Sequence, residues 1–472
     1  MPRTEDKGNE WPPRSATEAD IDSWEERLEE EREAKRVNDE IDRLIELERQ
    51  ELKKRKPQAK LLLLGQSEAG KSTLLKNFQL HFAPKAFHAE AEAWRAVIHL
   101  NLVRAVNFIL ESLHIPTQAP SPASSSVSYR STSSLSTVSS GSRHGNSDAL
   151  RALRMRLSPL RQVELILHRR LSVEGPSPTS PREQERGQPS APPRQPDLAV
   201  KVRSGWKALA RIRRPTSSTN QDELQDTRQI IDACADDIVA LWADESVQAG
   251  LRERKIDLED HYIFFLDNAS RVSSLRYIPS TEDILRARLQ TIGVEEHRLA
   301  LETVDAGSEW IFYDVEGCRG QRAAWAPFFD DVNAMIFLCP MSNFDVTLKE
   351  DPTINSLLDS FNLWKSICES KLLADATFIL FLNKMDLLNK KLKSGVKFSD
   401  YVSVYKDQPN DAENIALYFR RKLSAVHKHA SPKARALHIH MTCAIDTKTM
   451  STILKRVKDV ILITTLKDTA MI

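Results

Sequence analysis

The sequence predicts an α/β fold: a mostly parallel sheet with helices on both faces, preceded by a long helix and interrupted by a large insertion. Three observations carry this. Leu61 to Leu64 form a short apolar run fit for a strand buried on both faces, and a glycine-punctuated turn leads from it straight into helical spacing from Thr73. Beyond Ala300, strand-like runs at Glu309 to Val315, Ala334 to Cys339, Thr377 to Leu382 and Leu437 to His440 alternate with helical patterns, as parallel strands joined by crossover helices do. Roughly 220 residues of other composition separate the first run from the rest, so one sheet is assembled from two distant parts of the chain.

Taken in order, residues 1–16 are polar with three prolines and are expected to be disordered. A helix is expected over 17–57. Thr17 and Asp20 make a capping box, and Ile21, Trp24, Leu28, Val37, Ile41, Leu44 and Leu52 recur at helical spacings in a densely charged background. So narrow a stripe cannot bury itself, so the helix either docks on a partner, the favoured reading, or stays a solvated charged helix. It ends in Lys53-Lys-Arg-Lys56, a solvated basic patch or a contact for an anionic membrane.

Next comes Gly65-Gln-Ser-Glu-Ala-Gly70-Lys71-Ser72-Thr73, a GxxxxGK[ST] pattern in the strand-to-helix context that gives it meaning. Gly65 and Gly70 let backbone N–H groups turn inward onto phosphate oxygens, and the following helix adds the positive end of its dipole. Lys71 would reach the β- and γ-phosphates and Ser72 would ligate Mg²⁺. The competing reading, a plain strand-to-helix turn with a surface lysine, accounts for none of this context.

Glu90 to Ile115 has the pattern of an amphipathic helix. Pro116 to Ser147 is rich in Ser and Pro, and Pro176 to Pro196 in Pro, Gln and Arg; neither can bury enough apolar surface to offset its ordering entropy. Two helix-like islands, Ala149 to Leu171 and Val202 to Ile212, lie between and after them. Residues 148–214 hold fifteen Lys or Arg against six Asp or Glu. That surplus suits acidic lipids, RNA or kinases acting on nearby serines, or equally a solvated, tolerated insertion. Order resumes near Asp226 with helices around Ile230 to Ala243 and Val247 to Leu258, then Tyr262 to Leu266 and a turn at Tyr277-Ile-Pro-Ser.

The totals narrow the class. A chain of 472 residues exceeds the usual single domain, and 67 Lys and Arg against 66 Asp and Glu, net charge +1, argue against a protein built to coat nucleic acid. The five cysteines, 234, 318, 339, 368 and 443, lack CxxC spacing, so a zinc site or disulfide framework is not indicated and a reducing compartment fits. With no apolar N-terminal core and no run long enough to span a bilayer, a soluble or peripheral protein is expected.

Asn383-Lys384-Met385-Asp386 follows the run Thr377 to Leu382, at the carboxyl edge of the sheet where such folds place ligands. An aspartate there can accept from the ring N–H and exocyclic amine of guanine, a donor pair adenine lacks, and the lysine stem can lie along the base. With Thr442-Cys443-Ala444 at the end of another strand, the pattern favours a guanine nucleotide and disfavours an ATPase or kinase.

These segments, with Asp283-Ile-Leu-Arg-Ala-Arg288-Leu-Gln-Thr291-Ile-Gly293, Asp314-Val-Glu-Gly317, Phe344-Asp345 and Thr442 to Thr447, resemble the α subunits of heterotrimeric G proteins over about 60–115 and 226–472. The resemblance implies a P-loop GTPase domain from 58–82 and 286–472, with an all-α domain at 83–285 inserted into it and a Ser/Pro/Arg-rich, largely disordered stretch, 116–225, within that. It implies GTP or GDP and Mg²⁺ held by Gly65, Glu68, Ala69, Gly70, Lys71, Ser72, Thr73, Leu285, Arg286, Arg288, Thr291, Asp314, Gly317, Asn383, Lys384, Asp386, Cys443 and Ala444. Ser72, Thr291 and Asp314 would serve the metal, and Arg288 would stabilise charge on the transferring phosphoryl. Implied partners are a βγ dimer met by the N-terminal helix, a G protein-coupled receptor near Leu466 to Ile472, and an effector.

The departures concern hydrolysis and partners. Cys318 stands where the family has a water-orienting glutamine, Gln321 lies three residues on, and Ser67 replaces a glycine, so slow hydrolysis is expected. Ala323-Ala324 replace basic residues, which weakens the βγ expectation. Pro2 excludes N-myristoylation, and no cysteine precedes Cys234, which leaves a cytoplasmic protein or one held peripherally at the plasma membrane. The alternative function is a pseudo-GTPase scaffold acting through the N-terminal helix and insertion.

Overall fold

The structure is a computed structural model describing residues 32, 35, 36, 38–43, 59–113, 150–171, 201–202, 218–254, 256, 258–291, 293–302 and 309–468. The chain divides into two units, Met1–Pro57 and Gln58–Ile472. In the first, the described residues are helical and exposed, Ile41 among them. The rest of the apolar stripe and Lys53 to Lys56 lie outside the described residues.

Among the described residues the second unit has eight strands: β1 (Ala59–Gly65), β2 (Lys201–Val202), β3 (Gln290–Thr291), β4 (Val294–Ala300), β5 (Glu309–Val315), β6 (Ala334–Pro340), β7 (Thr377–Asn383) and β8 (Leu437–Met441). Six of them form one sheet in the order β4-β5-β1-β6-β7-β8, parallel except for β4. The helices are α1 (Lys71–Phe82), α2 (Pro84–Ala89), α3 (Ala91–Ser112), α4 (Pro159–Leu171), α5 (Ser218–Ala233), α6 (Ala235–Ala243), α7 (Glu245–Glu253), α8 (Asp260–Asp267), α9 (Ala269–Ser273), α10 (Thr281–Arg286), α11 (Ser356–Glu369), α12 (Met385–Lys393), α13 (Ala412–Ala430) and α14 (Thr447–Asp468).

Side-chain alternation along β1 sorts its leucines between two cores. Leu61 and Leu63 join Leu74 and Phe78 of α1 and Met450, Leu454, Val457 and Ile461 of α14. Leu62 and Leu64 join Leu363, Trp364 and Ile367 of α11 and Ile415, Phe419 and Leu423 of α13. A strand buried on both faces has no polar side, which is why its sequence shows an unbroken apolar run. The expected runs at 309–315, 334–339, 377–382 and 437–440 are all strands of this sheet.

β4, Val-Glu-Glu-His-Arg-Leu-Ala, carries no such signal and was not expected. It is an antiparallel edge strand, half-exposed along most of its length, and an edge tolerates the charges that would exclude it from the sheet interior.

The insertion has its own core. Helix α3 is apolar around most of its circumference and central to a cluster of Trp94, Val97, Leu100, Val103 and Val106 with Leu241, Tyr262, Phe265 and Ile284. The island expected at 149–171 within the Ser/Pro/Arg-rich stretch is helical from 150 onward. It belongs to this core, because Leu157, Leu160, Val163, Leu167 and Leu171 recur on one face and are buried against α3. The second island is corrected at its start: Lys201–Val202 form a strand that pairs in parallel with Gln290–Thr291, and the remainder lies outside the described residues. Tyr262 to Leu266 falls within helix α8.

Because α4 is a packed element, Leu160→Ala or Leu167→Ala should lower the unfolding free energy by about 2–5 kcal/mol in urea titrations. Leu165→Ala, at a position 60% exposed, should change it by less than about 0.5 kcal/mol.

Candidate functional site

The site is assembled at the carboxyl ends of the parallel strands. Where β1 ends, Gly65 has φ +146° and a Cβ on it would sit 2.6 Å from the Leu338 carbonyl oxygen at the end of β6. Gly70, at φ +102°, would place a Cβ 2.4 Å from Asn383 Nδ2 at the end of β7. Only glycine satisfies both the dihedral and the space. Between them Glu68 takes φ +62°, an uncommon conformation for a residue with a side chain. Lys71 folds back over the loop, its Nζ donating to the carbonyls of Gly65 (2.9 Å) and Gln66 (2.8 Å). Burial lowers its pKa and the Asp314 carboxylate opposes that shift.

In the sheet register Leu63 lies beside Asp314, so β5 delivers that carboxylate to the start of α1, where the Ser72 hydroxyl donates to Asp314 Oδ2 at 2.8 Å. Two hard oxygen donors at a helix N-terminus are the ligand type that Mg²⁺ prefers. Three residues further on, a Cβ on Gly317 would come 2.1 Å from the Ser67 nitrogen. The loop after β5 therefore rests directly on the phosphate loop.

The opposite wall is built where β7 and β8 end. Asn383 Nδ2 donates to the Ala69 carbonyl (2.8 Å) while its Oδ1 accepts from the Thr442 hydroxyl (3.1 Å), and Asn77 Nδ2 on α1 donates to the Ala444 carbonyl (2.7 Å). Amides thus bind the phosphate loop, the Asn383-to-Asp386 turn and the Thr442-to-Ala444 turn to one another. Lys384 sits at φ +65°, with its pKa lowered by burial, and Asp386 opens α12. Burial pushes the Cys443 thiol up to about 11, with the Asp386 carboxylate adding to it. Between these walls lies a cleft of about 630 Å³, lined by Glu68, Gly70, Lys71, Ser72, Thr73, Leu285, Arg286, Arg288, Gly317, Asn383, Lys384, Asp386 and Ala444.

The family model described as G-protein alpha subunit matches residues 35–461. The chain belongs to the G-protein α subunit family. It is 32% identical to the guanine nucleotide-binding protein alpha-4 subunit of Mycosarcoma maydis, over 97% of this chain and 94% of that protein. It is 34% identical to the alpha-8 subunits of Caenorhabditis briggsae and Caenorhabditis elegans, over 46% of this chain and 58% of each of theirs.

In this α subunit the remaining expected residues are placed as follows. Gly65 and Ala69 form the buried backbone of the phosphate loop. Leu285 offers its carbonyl to the Thr73 hydroxyl at 3.5 Å, and Arg286 lies 4.4 Å over the Phe264 ring while bonding Glu282. Thr291 lies on β3, beside Val202 of the insertion. Cys318 is half-buried at the start of the 3-10 segment Arg319–Phe328, and Gln321, Ala323 and Ala324 on that segment are exposed. Burial first, then the Glu350 and Glu316 carboxylates, push the Cys318 thiol up to about 11.

Arg288 is not a lone cation. Its guanidinium bonds Glu68 (2.8 Å) and Glu259, and Lys349 bonds the same two carboxylates at 2.6 Å each. Burial alone would raise the Glu68 pKa, but Arg288 and Lys349 overcome it and hold the carboxyl well below its usual range. The Arg288 backbone is fixed by fully buried Asn101, whose Nδ2 donates to the Arg288 carbonyl (3.1 Å) and whose Oδ1 accepts from its N–H (2.8 Å). Lys76 donates to the carbonyls of Ile284 (2.8 Å) and Ala287 (2.6 Å) from above the Trp94 ring; burial lowers its pKa to about 7. Glu259, Asn101 and Lys76 escaped the sequence reading because none belongs to a motif and each meets its partner across 29 to 211 residues of chain.

Because the Cys318 thiol is protonated at neutral pH, its alkylation by iodoacetamide, followed by mass spectrometry, should accelerate about tenfold per pH unit from pH 7 toward about 10. Asn383→Ala leaves the Ala69 carbonyl and Thr442 hydroxyl without that partner. It should cost about 1–3 kcal/mol in chemical denaturation.

Proposed function

We propose that this G-protein α subunit binds GTP and GDP with Mg²⁺ in the cleft, couples receptors to effectors as a nucleotide-operated switch, and hydrolyses GTP slowly. One observation carries the reading: Lys71 and Asp386, a phosphate-reading cation and a guanine-reading carboxylate, face one cleft whose walls are joined by Asn383. Backbone N–H groups of the loop from Gly65 to Gly70 and the N-terminus of α1 would hold the phosphates, with Lys71 exchanging its two carbonyl partners for phosphate oxygens. Ser72, Asp314 and Thr291 would hold Mg²⁺, which when bound neutralises charge on the phosphates. Asp386 accepts from the guanine edge, and Lys384 lies along the base.

For hydrolysis, the Gly317 N–H would meet the γ-phosphate and Arg288 would stabilise charge as the phosphoryl transfers. To do so Arg288 must turn from Glu68 and Glu259, and both carboxylates oppose that move. A protonated thiol at Cys318 is a weak hydrogen-bonding group and shorter than a glutamine amide, so it does not orient the attacking water. Exposed Gln321 does not replace it. The same two facts favour the second reading, a scaffold that stays loaded with one nucleotide. A receptor, an effector and a βγ dimer are the partners of the switch reading, the last weakened by the neutral Ala323-Ala324. Among the described residues no helix is long and apolar enough to cross a membrane, which leaves peripheral contact as the proposed mode.

Purified protein should bind labelled GTPγS in a Mg²⁺-dependent way that excess ATP does not displace and Lys71→Ala abolishes. Single-turnover hydrolysis should fall below the rate of about 10⁻² per second general to α subunits, and Cys318→Gln should raise it by about 10²-fold or more. A fast wild-type rate rejects the slow-hydrolysis claim. GDP that neither dissociates nor exchanges selects the scaffold.

A further inference from the structure

Gln66 does not line the cleft. Its side chain, 2% exposed, reaches the start of α11, where Nε2 donates to the Ser356 carbonyl (2.8 Å) and to Asp359 Oδ2, and Oε1 accepts from the Ser356 hydroxyl (2.9 Å). Asp359, 4% exposed, in turn receives both terminal nitrogens of Arg322, Nη1 on Oδ1 at 3.0 Å and Nη2 on Oδ2 at 2.5 Å. Arg322 belongs to the segment Arg319–Phe328 that begins beside Cys318. A continuous run of buried and half-buried bonds, charge-assisted at Asp359, therefore leads from the phosphate loop through α11 to that segment.

None of these atoms belongs to the cleft wall, and the Gln66 side chain reaches α11 without using a group that lines it. We infer that Gln66 is a positioning residue that keeps Arg319–Phe328 docked on α11 whichever nucleotide is bound, so that this switch responds weakly to loss of the γ-phosphate. The amide orients the Asp359 carboxylate for its two-bond grip on Arg322 and anchors α11 to the phosphate loop. An apolar residue at 66 would leave the Ser356 hydroxyl and one Asp359 lone pair without those partners and loosen the grip. The inference rests on the proposed nucleotide switch only for the ligands used in its test.

The test is limited trypsin digestion of the full chain in nucleotide-free, GDP and GTPγS forms, with cleavage after Arg319 and Arg322 followed by mass spectrometry. Wild-type protein should be cut there at rates differing less than about threefold between the GDP and GTPγS forms. Gln66→Ala should be cut about tenfold faster in the free and GDP forms and return toward the wild-type rate with GTPγS. Asp359→Asn, which keeps the shape but loses the charge, should give the same pattern if Gln66→Ala does not fold. A wild-type GDP form cut much faster than the GTPγS form, or variants cut as slowly as wild type, overturns the inference. Failure of wild type to bind GTPγS overturns the proposed function instead, and the free forms still test the latch.

Discussion

The structure depends on how closely four strand ends can approach one another. Side chains on Gly65, Gly70 and Gly317 would intrude to 2.6, 2.4 and 2.1 Å of atoms on β6, β7 and the phosphate loop respectively. Contacts that short are not relieved by rotamer changes, because the obstructing atoms at two of the three are backbone. Once glycine stands at these positions, the ends of β1, β5, β6 and β7 close around one cavity, which Lys71 and Asp386 line and which Asp314 adjoins through its bond from Ser72.

Polar wiring then fixes what the close approach brings together. Asn383, Asn77 and Asn101 each spend an amide on backbone atoms of another segment, as ladder bonds would do if the segments were strands. The inserted helices enter through Asn101 and through Glu259, which shares Arg288 with Glu68 of the phosphate loop. Lys349 supplies a second cation, so two carboxylates and two cations offset one another in a half-buried setting where an unpaired member would be costly. The insertion therefore lines the cleft and restrains Arg288. β2, contributed by the long insertion, pairs with the strand that carries Thr291 and ties a second part of that insertion to the chain between α10 and β4.

Legibility in the sequence followed the range of the interaction. The leucines of β1 and the apolar β6 and β7 were plain because burial on both faces leaves a continuous apolar run, whereas β4 was missed because an edge strand keeps its charges. The 150–171 helix showed its period even inside a Ser/Pro/Arg-rich region, since its leucine stripe survives a basic background. Gln66 looked like a spacer in the phosphate-loop pattern, and nothing near it in the chain announces Asp359 or Arg322.

By itself the sequence determined the family, the α/β class, the glycine-bounded loop before α1, the Asn383-to-Asp386 turn and the cysteine at 318. These are properties of short runs whose chemistry or period is complete within a few residues. Only the tertiary structure decided that Arg288 is held by Glu68 and Glu259, that Asn101 fixes its backbone while Lys76 holds the carbonyls of Ile284 and Ala287 before it, and that Gln66 is joined through Asp359 to Arg322. Those partners are distant in the chain, and what selects them is the need of each buried polar atom for a bond, which can be met only after the sheet and the inserted helices have packed.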